Sequence, residues 1–453
     1  MIGTVLNRLR RGGSLTDRAM RSSAIHSMGF VLNQALRLGS NLILTRILFP
    51  EAFGLMALVT VVMVGLAMFS DVGVSPAIMQ SKRGDDPDFL NTAWTIQMMR
   101  GAALWAVAAL LAYPAALLYE EPQLLYVLPV YGVTLLISGF NPTKMETANR
   151  HLQAGRVTTI TLAVQFIGLV IAVLAAWITQ SVWSLVISGI SAAVIQVVFL
   201  NKFLPGPANR FQWEKPAAKE LIHFGKWIFL STICGFITLH SDKLVIGKYL
   251  SLDEFGVYNI GYFLASFPML LGGMVTHKVL IPIYRENPPD ASRENFLRLR
   301  KMRVFATALL LVMTFAVSLL GVWLIDILYD ARYARAGAVV VVLSLVQIPQ
   351  IIVMTYDQAA LAAGNSRGFF VLAAVRAVCI FAGLIIGLET MGLLGALLGL
   401  GAAYIAAYPV VIWLSRQQGA WDPLHDAVAI GVSFLLAAIA FQFHIAEILT
   451  LTG

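Results

Sequence analysis

Leu42-Ile43-Leu44-Thr45-Arg46-Ile47-Leu48-Phe49-Pro50-Glu51-Ala52-Phe53-Gly54 reads almost like Leu244-Val245-Ile246-Gly247-Lys248-Tyr249-Leu250-Ser251-Leu252-Asp253-Glu254-Phe255-Gly256, at an offset of 202 residues. Leu42 and Leu244, Leu48 and Leu250, Phe53 and Phe255, and Gly54 and Gly256 are identical. A cation faces a cation at Arg46 and Lys248, and an acid faces an acid at Glu51 and Asp253. Each copy ends one apolar helix, makes a tight polar turn and begins the next. A second echo, at an offset of 211, sets Glu146-Thr147-Ala148 through Gly155-Arg156 beside Asp357-Gln358-Ala359 through Ser366-Arg367. Membrane chains built from two like halves commonly move a solute through the gap between them. The duplication points to a transporter before any chemistry is considered.

Composition fixes the membrane setting. Apolar residues make up 58% of the 453 and charged ones 12%, about half the charged share of a soluble domain, and the mean hydropathy is +0.79. The apolar residues come in runs that reach bilayer length, about 20 residues each. Thirteen are expected, at 25–47, 54–79, 90–112, 123–141, 157–178, 182–204, 224–248, 255–284, 303–327, 337–362, 368–388, 392–415 and 424–445. The fold class is an all-α polytopic membrane protein.

The net charge of +8 follows topology and is no nucleic-acid footprint. With the N-terminus in the cytoplasm, inside segments collect 23 of the 32 Lys and Arg, and outside turns hold only Arg46, Lys248, Arg332 and Arg335. That bias sets the orientation, with the N-terminus in the cytoplasm. Residues 1–24 are polar and Arg-rich without an A-x-A cleavage pattern, so they read as a cytoplasmic leader. The expected division is a six-helix half over 25–204, a cytoplasmic linker over 205–222, a second six-helix half over 223–416, and an extra helix with the tail over 417–453. An offset of six spans is even, so the halves point the same way. Nothing calls for a cofactor or metal. Cys234 and Cys379 lack partner spacing, the seven His show no metal-ligand spacing, and no P-loop occurs.

Several stretches resemble the polysaccharide transporter family, within the MOP (multidrug, oligosaccharidyl-lipid, polysaccharide) flippase superfamily. Ser70-Asp71-Val72-Gly73-Val74-Ser75-Pro76-Ala77-Ile78 is similar to its D-x-G-x-[SP]-A pattern, and Ser181-Val182-Trp183-Ser184-Leu185-Val186 to its G-x-W-S-L-V segment, with Gln180-Ser181 in place of the usual Gly. Phe224-Gly225, Ser241-Asp242-Lys243-Leu244-Val245-Ile246-Gly247, Glu254-Phe255-Gly256-Val257-Tyr258, Phe267-Pro268 and Ile281-Pro282 are also typical. The resemblance implies a V-shaped pair of pseudo-symmetric bundles. It also implies the flipping of undecaprenyl-pyrophosphate-linked oligosaccharides to the periplasmic leaflet, for O-antigen or exopolysaccharide assembly. A polymerase and chain-length machinery would then be partners, alongside the bilayer itself. Composition and spacing give only the transporter.

Ionisable residues in spans are costly unless they face protein or water, so they mark cavities. Arg37 sits mid-span, and His26, Asn33, Arg37, Ser40 and Asn41 recur at helical spacing, making one face of the first span polar. That stripe is read as a cavity lining, or alternatively as a polar seam between helices. Arg100, Lys243, Lys278 and Arg376 are the other cationic candidates. Lys278, like Lys144, is also explained by snorkelling to the inner interface. Arginine suits a pyrophosphate because its planar fork gives bidentate donors. Asp71, Glu146, Asp242 and Asp357 are candidates for ion coupling, each also readable as pairing a buried cation or serving a helix break, as Pro76 suggests for Asp71. Gly383-x-x-x-Gly387 and Gly395-x-x-x-Gly399 are read as packing spans eleven and twelve together.

Three other functions compete. A MATE-type cation or drug antiporter calls for an acid in the first span, where this chain carries Arg37. A lipid II flippase would bind the same headgroup, but the D-x-G-x-S-P-A and S-D-K-L-V-I-G blocks favour the polysaccharide family. A membrane polymerase or glycosyltransferase needs large outer loops or a catalytic segment, and the outer turns here are short. The chain is therefore not expected to be an enzyme.

Overall fold

The structure, a computed structural model, describes residues 15–70, 73–276 and 280–452. Asp71, Lys278 and the first fourteen residues of the expected leader lie outside the described residues. Among the described residues the secondary structure is helical, without strands. The first part of the chain forms α1 (Leu15–Ile47), α2 (Pro50–Phe69), α3 (Val74–Gln80), α4 (Pro87–Tyr119), α5 (Leu124–Gly139), α6 (Lys144–Arg150), α7 (Ala154–Thr179) and α8 (Trp183–Phe203). Next come α9 (Lys215–Tyr249), α10 (Leu252–Ala265), α11 (Phe267–Val275), α12 (Ile281–Glu286) and α13 (Arg293–Leu328). The chain continues with α14 (Ala336–Val346), α15 (Ile348–Val353), α16 (Asp357–Ala362), α17 (Ser366–Gln417), α18 (Pro423–Phe443) and α19 (Ile445–Leu449).

The described residues of the thirteen expected runs are mostly helical, yet length and apolarity alone pass eight helices among the described residues. The number rises to ten when two pairs, α5 with α6 bent by 59° and α10 with α11 bent by 46°, each count as one span. Thirteen is therefore not reached by this measure. One reason is that α17 counts once although Met391 and Gly392 leave helical geometry inside it, Gly392 at φ +59°. A second is that α1 and α9, though 33 and 35 residues long, are not among the eight.

The chain forms two compact units, Met1–Phe49 with Val59–Thr232, and Pro50–Leu58 with Ile233–Gly453. The division falls inside α9, later than the expected linker. Residues 215–222 of that linker are the first turns of α9, and 205–214 lie strapped on the first unit. Asn209 Oδ1 accepts from the Thr143 backbone N–H at 3.0 Å, Gln212 N–H donates to Thr95 Oγ1 at 3.1 Å, and Glu214 N–H donates to Thr92 Oγ1 at 3.0 Å. Arg83 bridges Asp86 and Glu214 at 2.6 Å each. Its hydrogen bond holds the Asp86 carboxyl below the usual carboxylate range.

In the first unit α4 pairs with α5, α7 with α8, and α1 runs along α7. In the second, α14 is the core. The stretch Ala331–Val353 is 78% buried, whereas the other seven apolar helices bury 17–39%. A Val-rich helix apolar all round belongs inside, and the outward apolar faces of the others suit lipid.

The duplicated turns start their second helices differently. Pro50 occupies the first turn of α2, where its missing N–H costs nothing. Ser251 caps α10 in a capping box with Glu254. The repeated glycines meet within the second unit: a Cβ on Gly54 would lie 2.1 Å from the Leu252 carbonyl oxygen, and one on Gly256 2.0 Å from that of Pro50. Only hydrogen fits between these backbones, which is why both copies carry glycine. Partial burial, then the charges of Glu51 and Glu254, push the Asp253 carboxyl up, against Arg335 and Arg332. A carboxyl raised on folding stabilises fully below the ordinary aspartate range and loses that contribution as pH rises through its folded value. Asp253→Asn is expected to raise the thermal midpoint at neutral pH by about 1–2 °C, small because the site meets solvent. The gain should vanish on acidification, as a pH series of melting curves would show.

At the reversal in α17 the two halves touch backbone to backbone. A Cβ on Gly383 would lie 2.4 Å from the Gly399 oxygen, and one on Gly387 2.0 Å from that of Gly395. The two small-residue pairs thus pack the arms of this hairpin together, as read from the sequence. Gly387→Leu should cost about 3 kcal/mol or more by overpacking. Gly431→Leu, where nothing lies within 4 Å, is the control, and thermal unfolding of the purified protein distinguishes them.

Candidate functional site

The polar face of α1 opens on a cavity of about 300 Å³ in the first unit, bounded by α7 and α8. Arg37, Ser40 and Asn41 line it from α1, Gln165 and Gly168 from α7, and Ser188 from α8. Arg37 is exposed at its rim, with Nη1 3.4 Å from Gln34 Oε1. Gln165 donates to the Asn33 carbonyl at 3.1 Å, which ties α7 to α1 beside the cavity. Its own Oε1 is buried without a protein donor. Ser188 donates to the Gly168 carbonyl at 2.9 Å. No carboxylate lines this cavity. It offers one cation and several neutral hydrogen-bonding groups, a set suited to an anionic or hydroxyl-rich ligand. Of the expected cavity residues, Arg37 and Asn41 line it, and Asn33 contributes its backbone.

Arg100 is placed elsewhere. Its Nε donates to Ser70 Oγ at 2.9 Å and its Nη2 to the Ala67 carbonyl at 2.6 Å, so it caps the carbonyl end of α2. Lys144 donates to the Asn201 carbonyl at 3.0 Å, and Glu146 accepts from Ser75 Oγ at 2.6 Å. Lys144 also borders a crevice of about 580 Å³, lined with Asn91, His151, Asn209 and Gln212 beneath the 205–214 strap.

The second unit brings four of the expected residues into one polar seam. Arg376 and Asp357, both buried, make a two-pronged ion pair at 2.9 and 3.0 Å, and Gln350 donates to Asp357 at 3.2 Å. Asp242, 6% exposed, accepts from the Tyr258 hydroxyl at 2.7 Å. Lys243 stands 4.6 Å from the centre of the Tyr262 ring. Tyr404 lies within electrostatic reach of both Arg376 and Asp242 and links the two groups.

A further buried network joins α13, α17, α18 and the turn before α16, and its members were missed in the sequence. Arg300 grips Asp422 with two hydrogen bonds. Arg303 stacks 4.1 Å from the centre of the Tyr356 ring, and His425 with Asp426 lies beyond. Burial would push the Asp422 carboxyl up, but the Arg300 hydrogen bond, the His425 N–H and the charges of Arg300 and Arg303 together hold it below the usual range. The signal was present as two cations three residues apart, two to three turns into α13, and as the Asp422-Pro423-Leu424-His425-Asp426 opening of α18. Among the described residues no group of three or more His, Cys, Asp and Glu could hold a metal ion.

A family model described as polysaccharide biosynthesis protein matches residues 43–338. The succinoglycan biosynthesis transport protein ExoT of Rhizobium meliloti is 26% identical over 309 residues, 67% of this chain and 61% of that protein. The teichuronic acid biosynthesis protein TuaB of Bacillus subtilis is 20% identical over 303 residues, 65% of this chain and 61% of that protein. The matched region thus spans about three fifths of the length of these curated relatives. The solved lipid II flippase MurJ in an inward closed conformation matches at a TM-score of 0.65 and 13% identity, over 94% of this chain and 97% of that one. An inward-facing MATE-family multidrug transporter of the MOP superfamily matches at 0.61 and 14% identity, over 85% and 95%. At such identities the structures speak for the fold alone, and that fold is the MOP fold.

Proposed function

The chain belongs to the polysaccharide biosynthesis protein family, and from that membership we propose that it is a lipid-linked oligosaccharide flippase. Its cargo would be an undecaprenyl-pyrophosphate-linked glycan repeat unit, moved from the cytoplasmic to the periplasmic leaflet by alternating access. The observation that carries this reading is the cavity of the first unit, with the Arg37 guanidinium at its rim and no carboxylate in its lining. A pyrophosphate crossing a low-dielectric slab needs its charge answered, and a planar guanidinium suits phosphate oxygens. Asn41, Ser40, Gln165 and Ser188 supply hydrogen-bonding groups of the kind a sugar needs. Lys243 beside the Tyr262 ring offers a further cation in the other unit. An antiporter of cationic drugs would be poorly served by this lining, and the fold is shared by both classes.

Complementation tests the proposal. A bacterium lacking its own oligosaccharide flippase, supplied with the native glycan pathway, should regain surface glycan when it expresses this chain. Absence of surface glycan with gain of resistance to cationic drugs would overturn the reading in favour of the antiporter.

A further inference from the structure

We propose that His425, Asp426 and Thr307 form a buried proton-binding site in the second unit, separate from the acids expected to couple transport to an ion gradient. His425 and Asp426 are 6% and 2% exposed. His425 Nδ1 lies 2.8 Å from Asp426 Oδ1, and Nε2 lies 3.1 Å from Thr307 Oγ1. Asp426 also accepts from the Tyr356 and Tyr408 hydroxyls at 2.7 Å each and from the Trp421 indole at 3.2 Å.

This arrangement assigns the roles of the two ring nitrogens. A carboxylate that accepts several hydrogen bonds is stabilised as the anion, and as an acceptor it keeps a proton on His425 Nδ1. Nε2 is then the atom that gains or loses one. It faces a hydroxyl, which both donates and accepts. With the ring neutral, Thr307 donates to Nε2. When a hydronium ion passes its proton to Nε2 and leaves as water, the new N–H donates to Thr307 Oγ1. The hydroxyl thus changes from donor to acceptor, and the Nε2–Oγ1 hydrogen bond is kept in both states. Imidazole is the side chain whose ordinary charge change falls between about pH 5 and 8.

The charged and titratable groups around the ring come from every packed element. α13 brings Arg300 and Arg303, α12 brings Tyr284, the turn before α16 brings Tyr356, and α17 brings Tyr408 and Arg416. Asp422 lies at the start of the ring's own helix. Tyr284 takes Arg303 Nη2 at 3.0 Å, and Arg416 stacks 4.0 Å from the Trp421 ring centre. Arg303 is 2% exposed, and its Nε and Nη1 meet no protein acceptor. Buried N–H groups of that kind ordinarily take water, which is a proton carrier. The part-exposed Arg300, paired with the buried Asp422, marks where the network reaches the surface. Arg416 is exposed, so with a neutral ring Arg300 and Arg303 balance Asp422 and Asp426. A proton on His425 therefore leaves one buried positive charge in excess, which loosens the start of α18 from α13.

The test needs no transported substrate. In the purified full-length chain, exchange of the imidazole C2 hydrogen, read peptide by peptide, gives the titration of His425 directly. A sigmoid within the pH range over which the chain stays folded is expected, and the curve should be displaced in Asp426→Asn, which removes the anion beside the imidazolium. Thr307→Val, which replaces the hydroxyl by a methyl group, should also displace it and serves if Asp426→Asn does not fold. Backbone amide protection at the start of α18, corrected for the intrinsic pH dependence of exchange, should fall about tenfold as pH is lowered through the sigmoid, a difference of one decade in the opening equilibrium. A His425 rate without a sigmoid while the chain stays folded overturns the proposal, as does a curve unmoved in the folded variants.

Discussion

Arg37→Ala lowers surface glycan by about one to two orders of magnitude at matched membrane levels, while the amount of folded protein stays near wild type. The first half of that expectation comes from the strength of charge-assisted hydrogen bonds, about 1.5–3 kcal/mol each, which is a factor of about 10–150 in occupancy. The second half comes from position. Arg37 is exposed at the rim of its cavity, so its removal leaves no large void and strands no buried carboxylate of the lining. Arg37→Lys should recover part of the loss, since charge returns but the planar two-pronged fork does not. Arg100→Ala provides the contrast. That side chain holds Ser70 Oγ and the Ala67 carbonyl, so its loss uncaps the end of α2 and appears as less folded protein. Transport per folded molecule should fall far less than in Arg37→Ala. Quantifying surface glycan against folded protein, by size-exclusion of solubilised membranes, separates the two. Equal loss per folded molecule would place both arginines on the cargo.

The repeats were legible because the same physical problem is solved twice. A backbone crossing that admits no Cβ demands glycine at Gly54 and again at Gly256, and a turn between apolar helices needs polar residues in both copies. The Gly383, Gly387, Gly395 and Gly399 pattern was legible for a like reason, since small residues at helical spacing have few uses other than close packing. The polar face of α1 was legible as periodicity, and Arg37, Ser40 and Asn41 of that face line a cavity. What the sequence did not reveal was partnership across long separations. Asp357 and Arg376 lie nineteen positions apart, and Arg300 meets Asp422 across 122. Nothing local distinguishes a cation that faces a cavity from one that clasps a carboxylate or a carbonyl end. Arg303 stands at the very start of the expected run 303–327, where a cation at the membrane edge is ordinary. Its helix, α13, begins at Arg293, so that the charge lies nearly three turns inside it and buried.

The Arg376–Asp357 pair decides how much of the second unit is structural brace and how much is machinery. Asp357→Asn should destabilise the protein by about 3–5 kcal/mol, because it leaves a buried guanidinium without its counter-charge. Arg376→Met should cost a similar amount by stranding the carboxylate. The double variant should recover most of that loss, since replacing both charges removes the desolvation cost along with the attraction. Stability alone cannot separate the two roles, because a brace and an ion site would behave alike in this cycle. Transport by the folded double variant does separate them. A brace predicts that flipping and its dependence on an ion gradient both return with the fold. An ion-coupling aspartate predicts a folded protein whose flipping no longer responds to the gradient. The geometry favours the brace, since both carboxylate oxygens of Asp357 are taken by Arg376 and Gln350 adds a third donor. A carboxylate so fully engaged has to break two charge-assisted bonds to accept a proton, whereas His425 keeps its hydrogen bonds in either state. Gradient dependence retained in the double variant but lost in a folded Thr307→Val would therefore place coupling at the head of α18.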